Sequence, residues 1–181
     1  QSRLAVMRHL PGKARLHTQR LREQLDGLIC QYKNVRFIIA HAGRAFCYYD
    51  IEGTIDFLLN RENVWFDTAL LNDPAVLEYL MRCADKERII FGSDAPLAFT
   101  RGKDICVNNR HYYVSGEPVP WGLYPGKAVS LELTYYLYEE IRAILYASKR
   151  IYADREQDVL KKVMHDNMYG LMQEICLNRK E

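Results

Sequence analysis

Short apolar runs alternate with longer amphipathic runs through the first half of the chain, and this alternation most constrains the fold. The run VRFIIAHAG, residues 35–43, is dense in β-branched and aromatic residues and ends in glycine, as buried strands do. Apolar runs at 3–10, 63–70 and 87–94 predict three more strands. Because a helical segment separates each strand from the next, the pattern predicts an α/β fold with parallel strands.

The helical segments are marked by the spacing of their apolar residues and by their caps. The segment DPAVLEYLMRCAD opens with Asp73 as N-cap and Pro74 at the first helical position, which favours a helix start. Ser130 is predicted to cap another helix in the same way. Helices are predicted at 17–34, 50–61, 73–85 and 130–150, with one or two more within 154–178.

The segment 98–128 breaks this rhythm, since it is rich in glycine, proline and asparagine. It is predicted to be a long irregular loop, and loops of this length in a domain usually act as lids or are disordered. We expect a lid over the strand ends. Residues 1–181 are expected to form a single domain, cut from a longer polypeptide.

Charge and cysteine content narrow the class of protein. A net charge of +2 does not suggest nucleic acid or an anionic membrane as a partner. No apolar run approaches the roughly 18 residues that span a bilayer, and no secretory signal is visible. The five cysteines form no CxxC pair, which predicts buried reduced thiols in a cytoplasmic protein.

Candidate functional side chains sit where the predicted strands end, at His9, His41 and Asp94. In parallel sheets the catalytic groups lie at the carboxyl ends of the strands. Histidine and aspartate are typical zinc ligands, and a metal-bound water has its pKa lowered to about 7. A strand-end histidine alone can be structural, and an aspartate there can be a helix cap, but three in register favour a metal or catalytic site.

Three other residues have open interpretations. Asp67 ends the third strand and could bond to loop backbone. Arg44 could pair with a substrate carboxylate or with a neighbouring acid. His111 lies in the long segment and could reach the site if that segment folds over as a lid.

Several of these stretches resemble the amidohydrolase superfamily, in the amidohydrolase-related branch that includes hydrolases and metal-dependent decarboxylases. The resemblance rests on VRFIIAHAGR with His41, NVWFDTA with Asp67 and RIIFGSDAPL with Asp94. MRHLPG resembles the family's fifth strand, with His9 as its histidine. HDNMYGLM resembles a short helix near the family's C-terminus, carrying Asn167.

The resemblance implies a TIM-like (β/α)8 barrel with a mononuclear or binuclear site for a divalent metal, zinc being the ion expected. It implies that His9 is a metal ligand. Asp94 would bind the metal and handle the proton of the attacking water. His41 would be a second ligand or would polarise the substrate. Apart from the resemblance, Arg44 and His111 are the candidate substrate-binding residues.

The sequence departs from the family pattern, because it has neither the His-x-His pair of the first strand nor the fourth-strand ligand. The resemblance therefore implies the C-terminal half of a barrel, strands five to eight, followed by C-terminal helices. Four strands cannot close such a barrel. The expected partners are an N-terminal half-barrel on another segment or chain, or a second copy. Otherwise, the four strands form an open sheet.

The expected function is metal-dependent hydrolysis of a C–N or C–O bond in a small carboxylated substrate. A metal-dependent decarboxylase on the same scaffold is the first alternative. The second is a non-catalytic half-barrel with a structural or partner-binding role, since the chain alone could be inactive without the His-x-His strand.

Overall fold

A four-stranded parallel sheet in the order β1-β2-β3-β4 forms the centre of the molecule. The structure is a computed structural model that describes residues 4–10, 15–126 and 131–177. This sheet confirms the predicted α/β class, although each strand is shorter than its apolar run. The strands are β1 (Leu4–Arg8), β2 (Val35–Ile39), β3 (Val64–Asp67) and β4 (Ile89–Ile90).

Helices connect and follow the strands. The N-cap of the helix Pro74–Cys83 is as predicted, since the Asp73 side chain accepts a hydrogen bond from the Ala75 N–H at 2.9 Å. The predicted helix at 50–61 is instead two short helices, and Ser130 lies outside the described residues. The α-helices are Gln19–Gln31, Tyr48–Ile51, Asp56–Leu59, Pro74–Cys83, Tyr136–Tyr152, Glu156–Lys161 and Asn167–Leu177, with a π-helical turn at Lys162–Asp166 and 3-10 turns at Lys86–Arg88, Leu97–Phe99 and Ala153–Arg155.

Alternate residues of the central strands face two different cores, as the two-residue period of a strand requires. One face of the sheet packs into the main core with the long helices, through residues that include Phe37, Phe66 and Ile89. The other face packs on the last helix through a smaller cluster of Ile38, Trp65, Ile90, Leu171 and Ile175. Strands β2 to β4 are thus covered on both faces, which explains their nearly continuous apolar sequence.

Strand β1 is different, because all five of its residues are exposed. It pairs with β2 in parallel, from Leu4 opposite Val35 to Arg8 opposite Ile39. In the described sheet, β1 and β4 each have a neighbouring strand on one side only. They are therefore the two edge strands. Within the described residues the sheet is open and not closed into a barrel.

The segment 98–128 is not the irregular loop predicted, since it contains an antiparallel hairpin of β5 (Gly102–Val107) and β6 (Arg110–Ser115). Its two-residue turn is Asn108 and Asn109, with φ values of 51° and 60°. Asparagine tolerates this left-handed conformation, and such turns suit the twist of a hairpin. The turn chemistry was therefore present in the sequence.

The prediction of buried reduced thiols is wrong. Cys47 and Cys106 form a disulfide with a Cα–Cα distance of 5.8 Å, and Cys30, Cys83 and Cys176 are free and exposed. Cys106 lies on β5, so the hairpin brings it to Cys47 across 59 residues of sequence. Disulfides are rare in reducing compartments, so one argument for a cytoplasmic location is removed. In the described part of the chain no helix is long and apolar enough to cross a membrane.

A buried carboxyl group joins the helix Tyr136–Tyr152 to the loop after β3. The Oε1 of Glu140 bonds the Thr68 hydroxyl at 2.9 Å, and its Oε2 accepts the Leu70 N–H at 3.0 Å. Burial raises the pKa of Glu140 from 4.5 to about 9, so this carboxyl is protonated at neutral pH.

Replacing Glu140 by glutamine should flatten the pH dependence of stability. The folded state holds the Glu140 proton more tightly than the unfolded state, so this contribution is fully present below about pH 4.5 and is lost as pH rises towards about 9. In that window the unfolding free energy of the native chain should fall relative to Glu140→Gln, by at most about 1.4 kcal/mol per pH unit. Urea unfolding between pH 5 and 9 measures this. The exposed Glu62→Gln is the control, and parallel curves for native chain and Glu140→Gln would contradict the buried-acid assignment.

Candidate active site

The carboxyl ends of the parallel strands bring three predicted side chains next to one another. His9 follows β1, His41 follows β2, and Asp94 follows β4. The ring centroids of His9 and His41 are 5.1 Å apart with the rings nearly perpendicular, and His41 Nε2 lies 4.0 Å from Asp94 Oδ2. His41 is therefore the middle member of this group.

The backbone that carries His41 is a left-handed turn, His41–Arg44, in which all four φ values are positive, at 53°, 45°, 84° and 62°. For residues other than glycine, this conformation costs roughly 1–2 kcal/mol each. Packing also favours glycine at position 43, since a Cβ there would crowd the side chain of the buried Leu16. Strained backbone of this kind persists where the surroundings hold it, and it often marks functional sites.

Asp67 is the residue that holds this turn. Its Oδ1 accepts the His41 N–H at 2.7 Å and the Ala69 N–H at 3.1 Å. The carboxylate is buried, and burial raises its pKa while these two N–H groups oppose the rise. Asp67 thus bonds loop backbone, which was one of its open interpretations, and it joins the end of β2 to the end of β3.

The imidazole of His41 has its tautomer fixed by the same loop. Its Nδ1 lies 2.8 Å from the carbonyl oxygen of Ala69, which can accept a hydrogen bond but not donate one. Nδ1 therefore carries a proton, and whenever the ring has one proton the lone pair is on Nε2. His41 is buried, whereas the Asp94 side chain that faces Nε2 is 44% exposed. A proton acceptor thus points at a carboxylate that substrate and water can reach.

The predicted metal ligands His9, His41 and Asp94 lie near one another at the strand ends. In the ranges 4–10, 15–126 and 131–177, no group of three or more histidine, cysteine, aspartate or glutamate side chains is placed to hold a metal ion. Burial, and then interaction with His41 and with the Arg44 guanidinium, lowers the pKa of His9, which favours the neutral ring as a donor. Imidazole and carboxylate donors suit a divalent metal, but among the described residues fewer than three are placed together, whereas a catalytic zinc site uses three protein ligands.

Arg44 and His111 lie beside this group and line a cavity of about 740 Å³ between the hairpin and the left-handed turn. The side chain of His111 is 6% exposed, and its Nε2 lies 2.9 Å from Asp104 Oδ1. Phe46 lies between the strand-end group and His111, since its ring centroid is 5.4 Å from that of His41 and 4.5 Å from that of His111. The structure therefore places the two predicted substrate-binding residues together and next to the strand-end site.

The family model for amidohydrolases matches residues 4–167, which is most of the chain. The chain belongs to the amidohydrolase family. The matched span of this amidohydrolase contains the whole parallel sheet, the three strand-end residues and the hairpin. No curated protein and no solved structure matches the chain.

The sequence of this amidohydrolase did not reveal Asp104, which orients His111. Asp104 also bonds Asn72 through both its backbone and its side chain, at 3.2 and 3.1 Å. On β5 it is Asp104 that is buried and Ile105 that is exposed, the reverse of what hydropathy predicts. One sequence signal could have revealed Asp104. The two-residue period of a strand puts Asp104 and Cys106 on one face of β5, opposite Tyr113 and His111 of β6.

Removing the Asp67 carboxylate should destabilise the strand ends. Asp67→Ala leaves two buried N–H groups without an acceptor, and each such group costs about 1–3 kcal/mol. We expect a loss of roughly 2–4 kcal/mol in the free energy of unfolding, measured in urea. Asp67→Asn keeps an acceptor oxygen and should lose less than half as much. Equal losses in the two variants would show that the two hydrogen bonds do not hold the turn.

Proposed function

We propose that this chain supplies the His41–Asp94 pair to a hydrolase site that activates water for attack on a C–N or C–O bond of a small carboxylated substrate. Membership of the amidohydrolase family supports a metal-dependent, hydrolase-type function. The observation that carries the finer proposal is the 2.8 Å contact of His41 Nδ1 with the Ala69 carbonyl, which leaves Nε2 facing Asp94 Oδ2 at 4.0 Å.

This pair suits proton handling. A general base must offer a lone pair to the proton it removes, and it gains most when its geometry is fixed beforehand. Nε2 of His41 can take a proton from water bound between the two side chains, and the Asp94 carboxylate then faces the resulting N–H. The 4.0 Å separation is longer than a direct hydrogen bond, which leaves the pair able to share a substrate or a water.

A divalent metal, with zinc as the candidate, is proposed for the assembled protein, and His9 and Asp94 are the ligands this chain would offer. Further ligands would come from another segment or chain. The edge strand β1 suits such a partner, because its backbone edge is open and Leu4, Val6 and Met7 are exposed. We propose an N-terminal half-barrel or a second copy as that partner, with the hairpin as a lid.

The hairpin and the left-handed turn supply the proposed contacts to the substrate carboxylate. Arg44 is the cation nearest in sequence to His41, and the charge of its guanidinium acts on His9. His111 is oriented by Asp104 and lines the same cavity. These two residues place a carboxylated group beside the strand-end pair.

Hydrolysis assays with and without zinc should test the proposal, using a panel of small carboxylated amides and lactones. We expect zinc-dependent turnover, and we expect His41→Gln and Asp94→Asn each to lower kcat/KM by about 10²- to 10⁴-fold. His165→Gln is the matched control, since this histidine is exposed and far along the chain from the pair. Zinc content after dialysis should fall in Asp94→Asn.

Three results would contradict hydrolysis by this pair. Full activity in His41→Gln would remove the proposed base. Release of carbon dioxide without bond hydrolysis would indicate the decarboxylase instead. No turnover and no bound zinc, in the chain alone and after mixing with any co-purifying partner, would leave a non-catalytic half-barrel.

A further inference from the structure

The disulfide between Cys47 and Cys106 joins the hairpin to an element that lies next to the strand-end group. Cys47 is the N-cap of the short helix Tyr48–Ile51 and comes soon after the left-handed turn His41–Arg44. Cys106 lies on β5, opposite His111 of β6. Neither cysteine belongs to the main hydrophobic core, so the bond links the strand-end turn to the hairpin outside that core.

The base of the hairpin is held by hydrogen bonds to buried groups. The Tyr136 hydroxyl donates to the Val114 carbonyl oxygen at 3.1 Å. Asp104 bonds Asn72 through both its backbone N–H and its side chain, and its Oδ1 lies 2.9 Å from Nε2 of His111. These bonds involve neither Cys47 nor Cys106, so they remain when the disulfide is cleaved.

The tip of the hairpin, residues 105–110, is attached in a different way. Every residue of the tip is exposed, whereas Asp104 and Val114 at the base are buried. Cys106 is bonded to Cys47, and its Sγ lies 3.4 Å from the carbonyl oxygen of Phe46. In the described part of the chain, no hydrogen bond or ion pair joins the other tip residues to a group outside the hairpin. The bonded attachment of the tip therefore runs through Cys106.

The tip forms one wall of the cavity of about 740 Å³. Asn109 and Arg110 line the cavity from the tip, while Arg44 and Asp50 line it from the strand-end side. Cys47 lies between Arg44 and Asp50 in the sequence, so the disulfide ties the two facing walls together. A change in this bond therefore changes how firmly the two walls are held against each other.

One end of the disulfide is open to attack. Cys106 is an exposed residue, whereas Cys47 is only 2% exposed. Disulfide exchange requires a thiolate to reach one of the two sulfur atoms, and exposed disulfides are typically the labile or regulatory ones. The structure thus combines an accessible bond with a segment whose attachment depends on it.

We propose that the Cys47–Cys106 disulfide is a redox-controlled tether, which holds the hairpin tip against the strand-end turn when oxidised and releases the tip when a dithiol reduces it. Release would withdraw Asn109 and Arg110 from the cavity wall, while the Asp104–His111 pair at the base stays in place. The inference goes beyond the proposed function and does not depend on it.

The exchange balances in electrons and protons. A thiolate of the dithiol attacks the Cys106 sulfur and forms a mixed disulfide, and Cys47 leaves as a thiolate that takes up a proton. The second thiolate of the dithiol then attacks the reductant's own sulfur in the mixed disulfide, and Cys106 leaves and is protonated. Two electrons and two protons pass to the chain, and the dithiol becomes a disulfide.

Differential alkylation measures whether the folded chain allows this exchange. Without reductant, iodoacetamide should modify only the three free cysteines, Cys30, Cys83 and Cys176. After dithiothreitol it should modify all five, and later incubation with oxidised glutathione should return the count to three. Mass spectrometry gives the count. A bond that dithiothreitol reduces only in urea would overturn the tether.

Hydrogen exchange locates the released segment. Reduction should speed amide exchange in residues 105–110 by at least about 10-fold, because an untethered two-stranded hairpin is only marginally stable in water. The helix Pro74–Cys83 should keep its protection, since its residues pack in the main core. Reoxidation should restore slow exchange in the tip.

Two cysteine variants provide the matched comparison. Cys106→Ser should show fast exchange in the tip without reductant and should not respond further to dithiothreitol. Cys176→Ser removes an exposed unpaired thiol and should behave as the native chain does. Urea unfolding shows whether the variants fold, and the reduced native chain provides the same comparison if Cys106→Ser does not.

Two results of the exchange experiment would overturn the tether. Equal exchange of residues 105–110 in the oxidised and reduced chains would show that the bond does not hold the tip. Loss of protection throughout the chain on reduction would show that the bond holds the whole fold together. Neither measurement involves turnover, so a failure of the hydrolase proposal would leave both outcomes unchanged.

Discussion

The two hydrogen bonds accepted by the buried Asp67 carboxylate support the rest of the site. They attach the N–H of His41 to the loop after β3, while the His41 ring bonds the Ala69 carbonyl of the same loop. Both the backbone and the imidazole of His41 are therefore positioned by three consecutive residues, 67–69. That arrangement offsets the cost of a left-handed turn and fixes which imidazole nitrogen faces Asp94.

The same loop is held from its other side by Glu140. This buried carboxyl bonds Thr68 and Leu70, so the helix Tyr136–Tyr152 positions the loop after β3. That loop in turn positions His41. A proton on Glu140 avoids adding a negative charge near Asp67 and Asp94, whose charges contribute to its raised pKa after burial. The negative charge at this end of the sheet is thereby concentrated on the carboxylates that face the site.

Sequence reasoning succeeded where the decisive contacts are local. A strand and its end residue are adjacent, so the apolar runs located β1 to β4 and the parallel arrangement brought His9, His41 and Asp94 together. It failed where contacts are distant. The disulfide joins residues 59 apart, and the burial of Asp104 depends on partners contributed by β6 and by Asn72.

The hairpin was missed for a further reason, since its buried face is polar. Asp104 is satisfied by His111 and Asn72, so an inward carboxylate costs less than hydropathy suggests, while Ile105 points outward. Patterns based on apolar alternation cannot detect a strand whose inward face is a hydrogen-bonded network. The Asn108–Asn109 pair was the stronger signal, because it acts through backbone conformation and not through burial.

Charge links the cavity to the strand-end site without direct contact between them. The guanidinium of Arg44 helps lower the pKa of His9, after burial and His41, and the same guanidinium lines the cavity. An anion on Arg44 would offset part of the positive charge that acts on His9. Phe46 contacts the rings of both His41 and His111, so the strand-end group and the cavity lining also pack against one shared side chain. A ligand in the cavity would therefore act on the strand-end histidines through both charge and packing.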